Sequence, residues 1–367
     1  MEYLNDLKQI CKINSYTKNK DGVDAVGQTM QGWLERIGFE TTTYEREELG
    51  NHQLFTTNKT KGAKILLLGH NDTVFPEGTF DSYHEDEEWV YGPGVCDMKG
   101  GNIVALEALK EIKNKNAKIE NIDFLLVSDE ETGSDDSKFV TLELAKNYDY
   151  CFVFEAAGEN LEVVTGRKGV GTYTITIHGK AAHAGTSYIK GINANLEASY
   201  KLQELTKLSN LEVGTTVNVG KITGGIGANT ISPNCEMLLE IRYTTNAERD
   251  RLLKEINKIT NTNFVEGTTS TLEGLIQRDV MEPNEKQLEF ITKLETITDQ
   301  TIPCEQRGGV SDANHVASCG VITLDGFGPF GDGDHTVHER ALKSSFEQRI
   351  EMMTKILNFH QSNNNKF

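Results

Sequence analysis

The stretch Lys64–Val74, KILLLGHNDTV, sets the architecture of the chain. Ile65–Gly69 carries no polar side chain, the mark of a strand covered on both faces. The run then ends by presenting His70, Asn71 and Asp72. Two further runs repeat the pattern, Ile122–Glu130 (IDFLLVSDE) and Tyr148–Ala156 (YDYCFVFEA), and both run into carboxylates: Asp129, Glu130 and Glu131 in the first case, Glu155 in the second. Helical spacing lies between or before them. Val23, Val26, Met30, Trp33, Leu34 and Ile37 follow it, as do the apolar positions of Asn102–Asn114, and Tyr3, Leu4, Leu7, Ile10 and Cys11 predict an N-terminal amphipathic helix. This alternation predicts an α/β fold with a mixed, mostly parallel sheet flanked by helices. Open α/β sheets hold ligands at the carboxyl ends of their strands, so the three polar strand ends should converge on one crevice.

After residue 167 the pattern changes. Gly171–Gly179 (GTYTITIHG) alternates strictly, as a half-exposed antiparallel strand does. A helix near Ile192–Leu208, strands at Thr215–Ile222 and Cys235–Thr244, a helix at Ala247–Thr260 and a strand near Thr269–Ile276 complete a βαββαβ order, that of a ferredoxin-like domain. The α/β pattern returns with a helix at Glu285–Thr298, a strand at Val321–Gly326 and a helix at Lys343–Asn358. A chain of 367 residues is long enough for two domains. The expected organisation is a discontinuous domain, 1–167 plus 277–367, with 168–276 inserted.

Composition narrows the function. A formal charge of −18 repels phosphate backbones and argues against nucleic-acid binding. It leaves room for an anionic small molecule, because a local site can carry the opposite sign. No run approaches the ~18 to 20 apolar residues of a membrane span. MEYLNDLKQICKIN has no basic patch followed by an apolar core, so no secretory signal is read and the cytoplasm is the expected location. Six scattered cysteines, without close pairs, fit reduced thiols.

Five segments carry the chemistry. His70 and Asp72 suit a metal-ligating imidazole steadied by a neighbouring carboxylate, although HxD triplets are common and, taken alone, this one reads first as an ordinary turn. In Tyr91–Gly101 (YGPGVCDMKGG), glycines and a proline enclose Asp97 just before a helix. A carboxylate there could bridge two cations or cap the helix. In Ser128–Ser134 (SDEETGS) the adjacent Glu130 and Glu131 diverge, so one could bind metal while the other moves protons; a solvated acidic loop is the other reading. Glu155, directly after YCFVF, is costly to bury unless paired or metal-bound. Far downstream, Gly326–Glu339 (GFGPFGDGDHTVHE) offers His335 and His338. Cys96 reads as a packed thiol, and Arg167 and Lys168 as solvated hinge residues.

GHNDTV, GPGVCDMKGG, DEETGS, FEAA, GKAAHAG, GGIGANTISP, GGVSDAN and GDHTVHE occur in this order along nearly the whole chain. In this the sequence resembles the co-catalytic dizinc metallopeptidases of the aminoacylase/carboxypeptidase G group, which includes acetylornithine deacetylase, succinyl-diaminopimelate desuccinylase and several di- and tripeptidases. The resemblance implies a zinc exopeptidase-like catalytic domain and an inserted lid and dimerisation domain. It implies two zinc ions per chain, with cobalt or manganese as substitutes. His70 and Glu155 would bind one zinc, Glu131 and His335 the other, and Asp97 both. Asp72 would orient His70, and Glu130 would be the general base. His338 falls on a position that is not a ligand in the group. His183 matches a histidine that reaches into a partner subunit's active site and steadies the oxyanion. Asn229 matches a substrate-contacting amide, and Arg242 an arginine that grips the substrate's free carboxylate. Gly309 and Ser311 match the loop lining the carboxylate pocket.

The implied activity is hydrolysis of the amide bond of a peptide or N-acyl amino acid next to a free carboxylate, carboxypeptidase-like, with glutamate conjugates first. The last motifs look most like the glutamate carboxypeptidase branch. An N-deacylase of the acetylornithine deacetylase type, or a dipeptidase, is the alternative within the enzymes. A metal-free binding protein is the alternative outside them, and no ligand position is missing to favour it. A homodimer through the inserted domain is implied by resemblance alone.

Overall fold

The computed structural model describes residues 2–116, 118–363, 365 and 367. The chain forms two compact units. One contains the chain up to Gly166, Pro283–Arg307 and the residues from Ser311 on; the other contains Arg167–Glu282 and Gly308–Val310.

The first unit is built on a six-stranded sheet in the order Glu40–Tyr44, His52–Thr56, Ile122–Val127, Ile65–His70, Tyr150–Val153, Ile322–Leu324. The last four strands are parallel, and the first two form an antiparallel edge. Every residue of Ile65–His70 and Ile122–Val127 is buried, as their unbroken apolar character requires. The helix Lys20–Arg36 contacts the antiparallel edge, while Lys99–Lys115 packs against both Glu2–Cys11 and the C-terminal Lys343–Ser362. The mixed α/β architecture is the one that the sequence implies.

Register explains why the polar strand ends meet. His70 lies opposite Val127, and Leu68 opposite Val153. Three neighbouring parallel strands therefore finish on one edge, with His70, Asp129–Glu131 and Glu155 just at or beyond it. The second strand is shorter than expected: it stops at Val127, and Glu130–Thr132 forms a single 3-10 turn closed by Gly133 at φ 106°. The edge strand Glu40–Tyr44, mostly solvent-exposed and threonine-rich, has no apolar alternation and was not expected. Nor was the small sheet Gly331–Asp332, Arg340–Leu342, Trp89–Tyr91, His84–Glu85. Its strands are only two or three residues long, too short for any period to register.

The second unit has the order βαββαβ: strands Gly169–His178, Thr216–Gly224, Asn234–Tyr243 and Thr269–Arg278, with helices Ala194–Thr206 and Asn246–Asn261. Its sheet is antiparallel, with Gly169–His178 and Asn234–Tyr243 at the centre. Tyr173, Ile175 and Ile177 alternate inward to meet Met237, Leu239 and Ile241 in one core, while Thr172, Thr174 and Thr176 point the other way. A buried Lys201–Glu197 pair ties the two helices together, since Lys201 also donates to the Ile259 and Thr260 carbonyls. Asn193 and Thr245 cap the two helices by accepting from backbone N–H groups of the first turn.

Close backbone approach sets one requirement near the strand ends. A Cβ on Gly101 would lie 1.8 Å from the Phe154 carbonyl oxygen. Only glycine lets the helix Lys99–Lys115 start against the residue that precedes Glu155. Gly101→Ala should therefore destabilise the protein by roughly 3 kcal/mol through overpacking. Urea unfolding measures this, and a midpoint like that of the native protein would refute the packing argument.

Candidate metal centre

Two groups of potential ligands converge at the sheet edge of the first unit: His70, Asp97 and Glu155, and Asp97, Glu131 and His335. Within each group one atom per residue lies within 4.8 Å of the others. Asp97 belongs to both, with one oxygen for each. Its Oδ1 is 3.2 Å from His70 Nε2 and its Oδ2 is 3.2 Å from His335 Nε2. Glu155 Oε1 stands 3.9 Å from His70 Nε2, and Glu131 Oε2 stands 3.1 Å from His335 Nε2.

Each position has a local cause. Asp97 follows the loop Gly92–Cys96 and does not cap the helix after it; Met98 is the N-cap and no side chain caps there. The Asp97–Met98 peptide is cis. His335 has φ 61°, in a turn beside the short sheet that pairs Arg340 with Tyr91. That pairing sets the 331–339 segment beside the Asp97 loop.

Asp72 organises the ends of two strands. Its Oδ1 lies 3.3 Å from His70 Nδ1 and accepts from the Glu130 N–H at 3.3 Å. Its Oδ2 accepts from the Glu131 N–H at 3.2 Å and from Thr17 Oγ1 at 2.7 Å. One buried carboxylate thus holds an imidazole and the backbone of both glutamates. Asn102 Nδ2 donates to the His70 carbonyl at 2.7 Å and secures the strand end from the helix side.

Glu339 is the residue whose role sequence reasoning missed. It is buried, and its carboxylate accepts from the N–H groups of Gly94, Cys96 and Asp97 at 2.9, 2.9 and 3.1 Å. The motif GDHTVHE contains it, yet its work is on backbone 240 residues away, which no local pattern reports. Thr17 is a second such residue.

The electrostatics show why cations belong here. Burial and then the charge of Asp97 push Glu131 up to about 8, against the pull of His335. The same two causes push Glu155 well above the usual carboxylate range. Burial opposes a charged His70, but hydrogen bonds to Asp72 and Asp97 outweigh it and hold the imidazole well above its ordinary value. Hydrogen bonds to Asp97 and Glu131 raise His335 to about 11. The raised carboxyls mark negative charge crowded together and away from water, which a cation relieves. The donor chemistry fits zinc: one imidazole and two carboxylates at each position, three protein ligands being the catalytic pattern that leaves a place open. Sulfur takes no part, since Cys96 is packed in the core and burial pushes its thiol up.

Glu130 begins the 3-10 turn and is partly exposed, and it is close enough for its charge to raise Glu155. His338 is exposed and belongs to neither ligand group. Ser311 is buried and its hydroxyl donates to Asp325 Oδ2 at 2.7 Å, so its side chain is turned inward.

His183, Asn229, Arg242 and Gly309 belong to the second unit. Two of them are joined: the Ala184 N–H donates to the Asn229 carbonyl at 2.8 Å, beside a bridge between His183 and Thr230. His183 Nδ1 accepts from the Gly185 and Thr186 N–H groups, which fixes the ring and leaves Nε2 as its outward nitrogen. Arg242 donates to the Gly308 carbonyl, and Arg167 to that of Gly309. Arg167 is buried, not the solvated hinge residue expected, because β-pairing with Met281 draws its backbone into the fold.

Comparison with known proteins gives the family and the fold. The model of peptidase family M20/M25/M40 matches residues 66–358. Carboxypeptidase G2 of Pseudomonas sp. (strain RS-16) is 26% identical over 362 residues, covering 96% of this chain and 87% of the relative. Aminopeptidase PepT from Bacillus cereus superposes with a TM-score of 0.79 at 20% identity, covering 97% of each chain. A Bacillus subtilis protein described as a dinuclear metal binding peptidase superposes at 0.72 with 12% identity, covering 98% of each chain.

Removing the Glu339 carboxylate leaves three buried N–H groups without an acceptor, at about 1–3 kcal/mol each. Glu339→Ala should therefore lower bound metal well below that of the native protein. Elemental analysis after dialysis reads the loss; undiminished metal would show that the Asp97 loop holds itself.

Proposed function

The chain belongs to peptidase family M20/M25/M40 and is a zinc-dependent hydrolase of amide bonds, and from that premise we propose a carboxypeptidase-like activity. The scissile amide lies in a peptide or N-acyl amino acid next to a free carboxylate, with glutamate conjugates as the first candidates. The observation that carries the reading is the placement of Asp97, one oxygen in each of two three-residue donor groups.

His70, Asp97 and Glu155 would hold one zinc, and Asp97, Glu131 and His335 the other. Bound there, the pair supplies Lewis acidity, polarising the carbonyl and bringing water toward a pKa of ~7. The remaining work falls to the chain's own side chains. Asp72 keeps His70 in one tautomer and orientation, with its backbone carbonyl 3.0 Å and its carboxylate 3.3 Å from Nδ1. Because it also holds the backbone N–H groups of Glu130 and Glu131, it fixes the base relative to the ligands. Glu130 takes the proton of the attacking water and returns it to the leaving nitrogen. His183, contributed from a partner subunit of a homodimer, donates to the developing oxyanion. Asn229 contacts the substrate, and the Arg242 guanidinium grips its carboxylate in bidentate fashion. The loop carrying Gly309 and Ser311 borders that carboxylate. The inserted unit acts as lid and dimerisation domain, and its closure excludes water from the reaction.

Similarity to carboxypeptidase G2 over 96% of this chain supports the carboxypeptidase-like reading. Among the described residues no helix is long and apolar enough to cross a membrane. The proposed setting is the cytoplasm.

Two measurements test the reading. Purified protein should carry about two zinc ions per chain, and chelation should abolish turnover until zinc is returned. Across dipeptides, N-acetyl amino acids and N-acyl glutamates, release of free glutamate should be fastest; fastest release of ornithine from its N-acetyl form would assign a deacylase instead. Separately, Glu130→Ala should keep its metal yet lose kcat by about 10²- to 10⁴-fold. A variant that stays active has another base.

A further inference from the structure

Arg242 stands on the strand Asn234–Tyr243, with about a third of its side chain exposed, at 34%. Glu240 lies two residues earlier and so on the same face of the sheet. Nε of Arg242 donates to Glu240 Oε1 at 2.8 Å and Nη2 to Oε2 at 3.4 Å, while Nη1 donates to the Gly308 carbonyl at 3.2 Å. A guanidinium has five N–H donors in a rigid plane. Among the described residues three of them are engaged, and one N–H remains on each terminal nitrogen. With Glu240 on the Nε/Nη2 edge, the Nη1/Nη2 edge is the one that can take a carboxylate end-on, both oxygens at once. The residues directly opposite Glu240 on the neighbouring strands are Asn218 and Thr172, neither of which could replace its charge.

We propose that Glu240 is a positioning residue that occupies the Nε/Nη2 edge of Arg242, so that the Nη1/Nη2 fork is the edge offered to the substrate's carboxylate. Glu240 thereby sets how strongly a free acid is preferred over its amide. The inference rests on the role given above to Arg242 as carboxylate anchor. Without Glu240 the guanidinium is free to turn, and the entropy of ordering it falls on substrate binding. An uncharged carboxamide cannot use the two-donor fork in the same way, since it offers one acceptor oxygen where the carboxylate offers two.

The test compares the holoenzyme's best substrate from the panel with its α-carboxamide, reading the ratio of their kcat/KM values. In Glu240→Ala the acid-to-amide ratio should fall about tenfold, equivalent to about 1.4 kcal/mol, with the change in the KM of the acid. Glu240→Gln keeps an oxygen for Nε but sets an NH2 group against Nη2, and should fall about threefold. Circular dichroism and the melting temperature of each variant report a preserved fold. A ratio that is unchanged, or that rises because Glu240 was competing with substrate, overturns the proposal. Arg242→Ala separates the two levels. If the ratio collapses toward one in Arg242→Ala but holds in both Glu240 variants, the anchor stands and the positioning role fails. If Arg242→Ala keeps the native ratio, the anchor itself is wrong and the positioning role falls with it.

Discussion

The first unit depends on keeping one carboxylate, that of Asp97, between two imidazoles. Its two oxygens are directed apart, each 3.2 Å from a histidine nitrogen, with Glu155 and Glu131 as further negative charges nearby. Like charges at such separations resist burial, and burial together with the charge of Asp97 raises the carboxyls of Glu131 and Glu155. The fold must therefore hold this group against its own repulsion. It does so with backbone more than with opposite charges: three parallel strand ends fix His70, the acidic turn and Glu155, and Glu339 clamps the amides of Gly94, Cys96 and Asp97 itself. Burial pushes the Glu339 carboxyl up to about 7, while the donated N–H groups pull the other way.

Parallel topology makes this arrangement economical. Adjacent parallel strands end on the same edge, so residues some sixty to eighty-five positions apart in sequence become neighbours without a long irregular loop. Asp72 turns that proximity into geometry, because its two oxygens tie one strand end to the turn after the next. Gly101 allows the following helix to begin within reach of the same edge.

Much of this was legible in the sequence. The buried strands announce themselves by unbroken apolar runs, and the carboxylates by their recurrence at the ends of three such runs. Ile122–Glu130 was read three residues too long because Ser128 and Asp129 are buried like the strand before them, while the 3-10 turn depends on Gly133. The short sheet that carries His335 toward Asp97 was invisible, being made of two- and three-residue pairings fixed by tertiary contact. Glu339 and Thr17 were equally hidden. Their partners are a loop amide and a carboxylate far along the chain, and a single acidic or hydroxyl residue carries no periodic signal.

Charge is the point at which totals and local structure part company. A chain with a formal charge of −18 would be expected to repel an anion, yet the field at a site is set by the groups within a Debye length, about 8–10 Å. In the second unit, Arg242 and Arg167 both donate to the Gly308–Gly309 dipeptide, concentrating two guanidinium groups on a backbone segment that offers only carbonyls in return. Neutral acceptors orient a guanidinium without cancelling its charge. Glu240 does cancel part of it, which makes sense only if orientation is worth more than raw attraction at that position. An exposed pair of this kind is worth at most about 1 kcal/mol in itself, too little to justify its geometry as a contribution to stability. Its value lies in which edge of the arginine it leaves open.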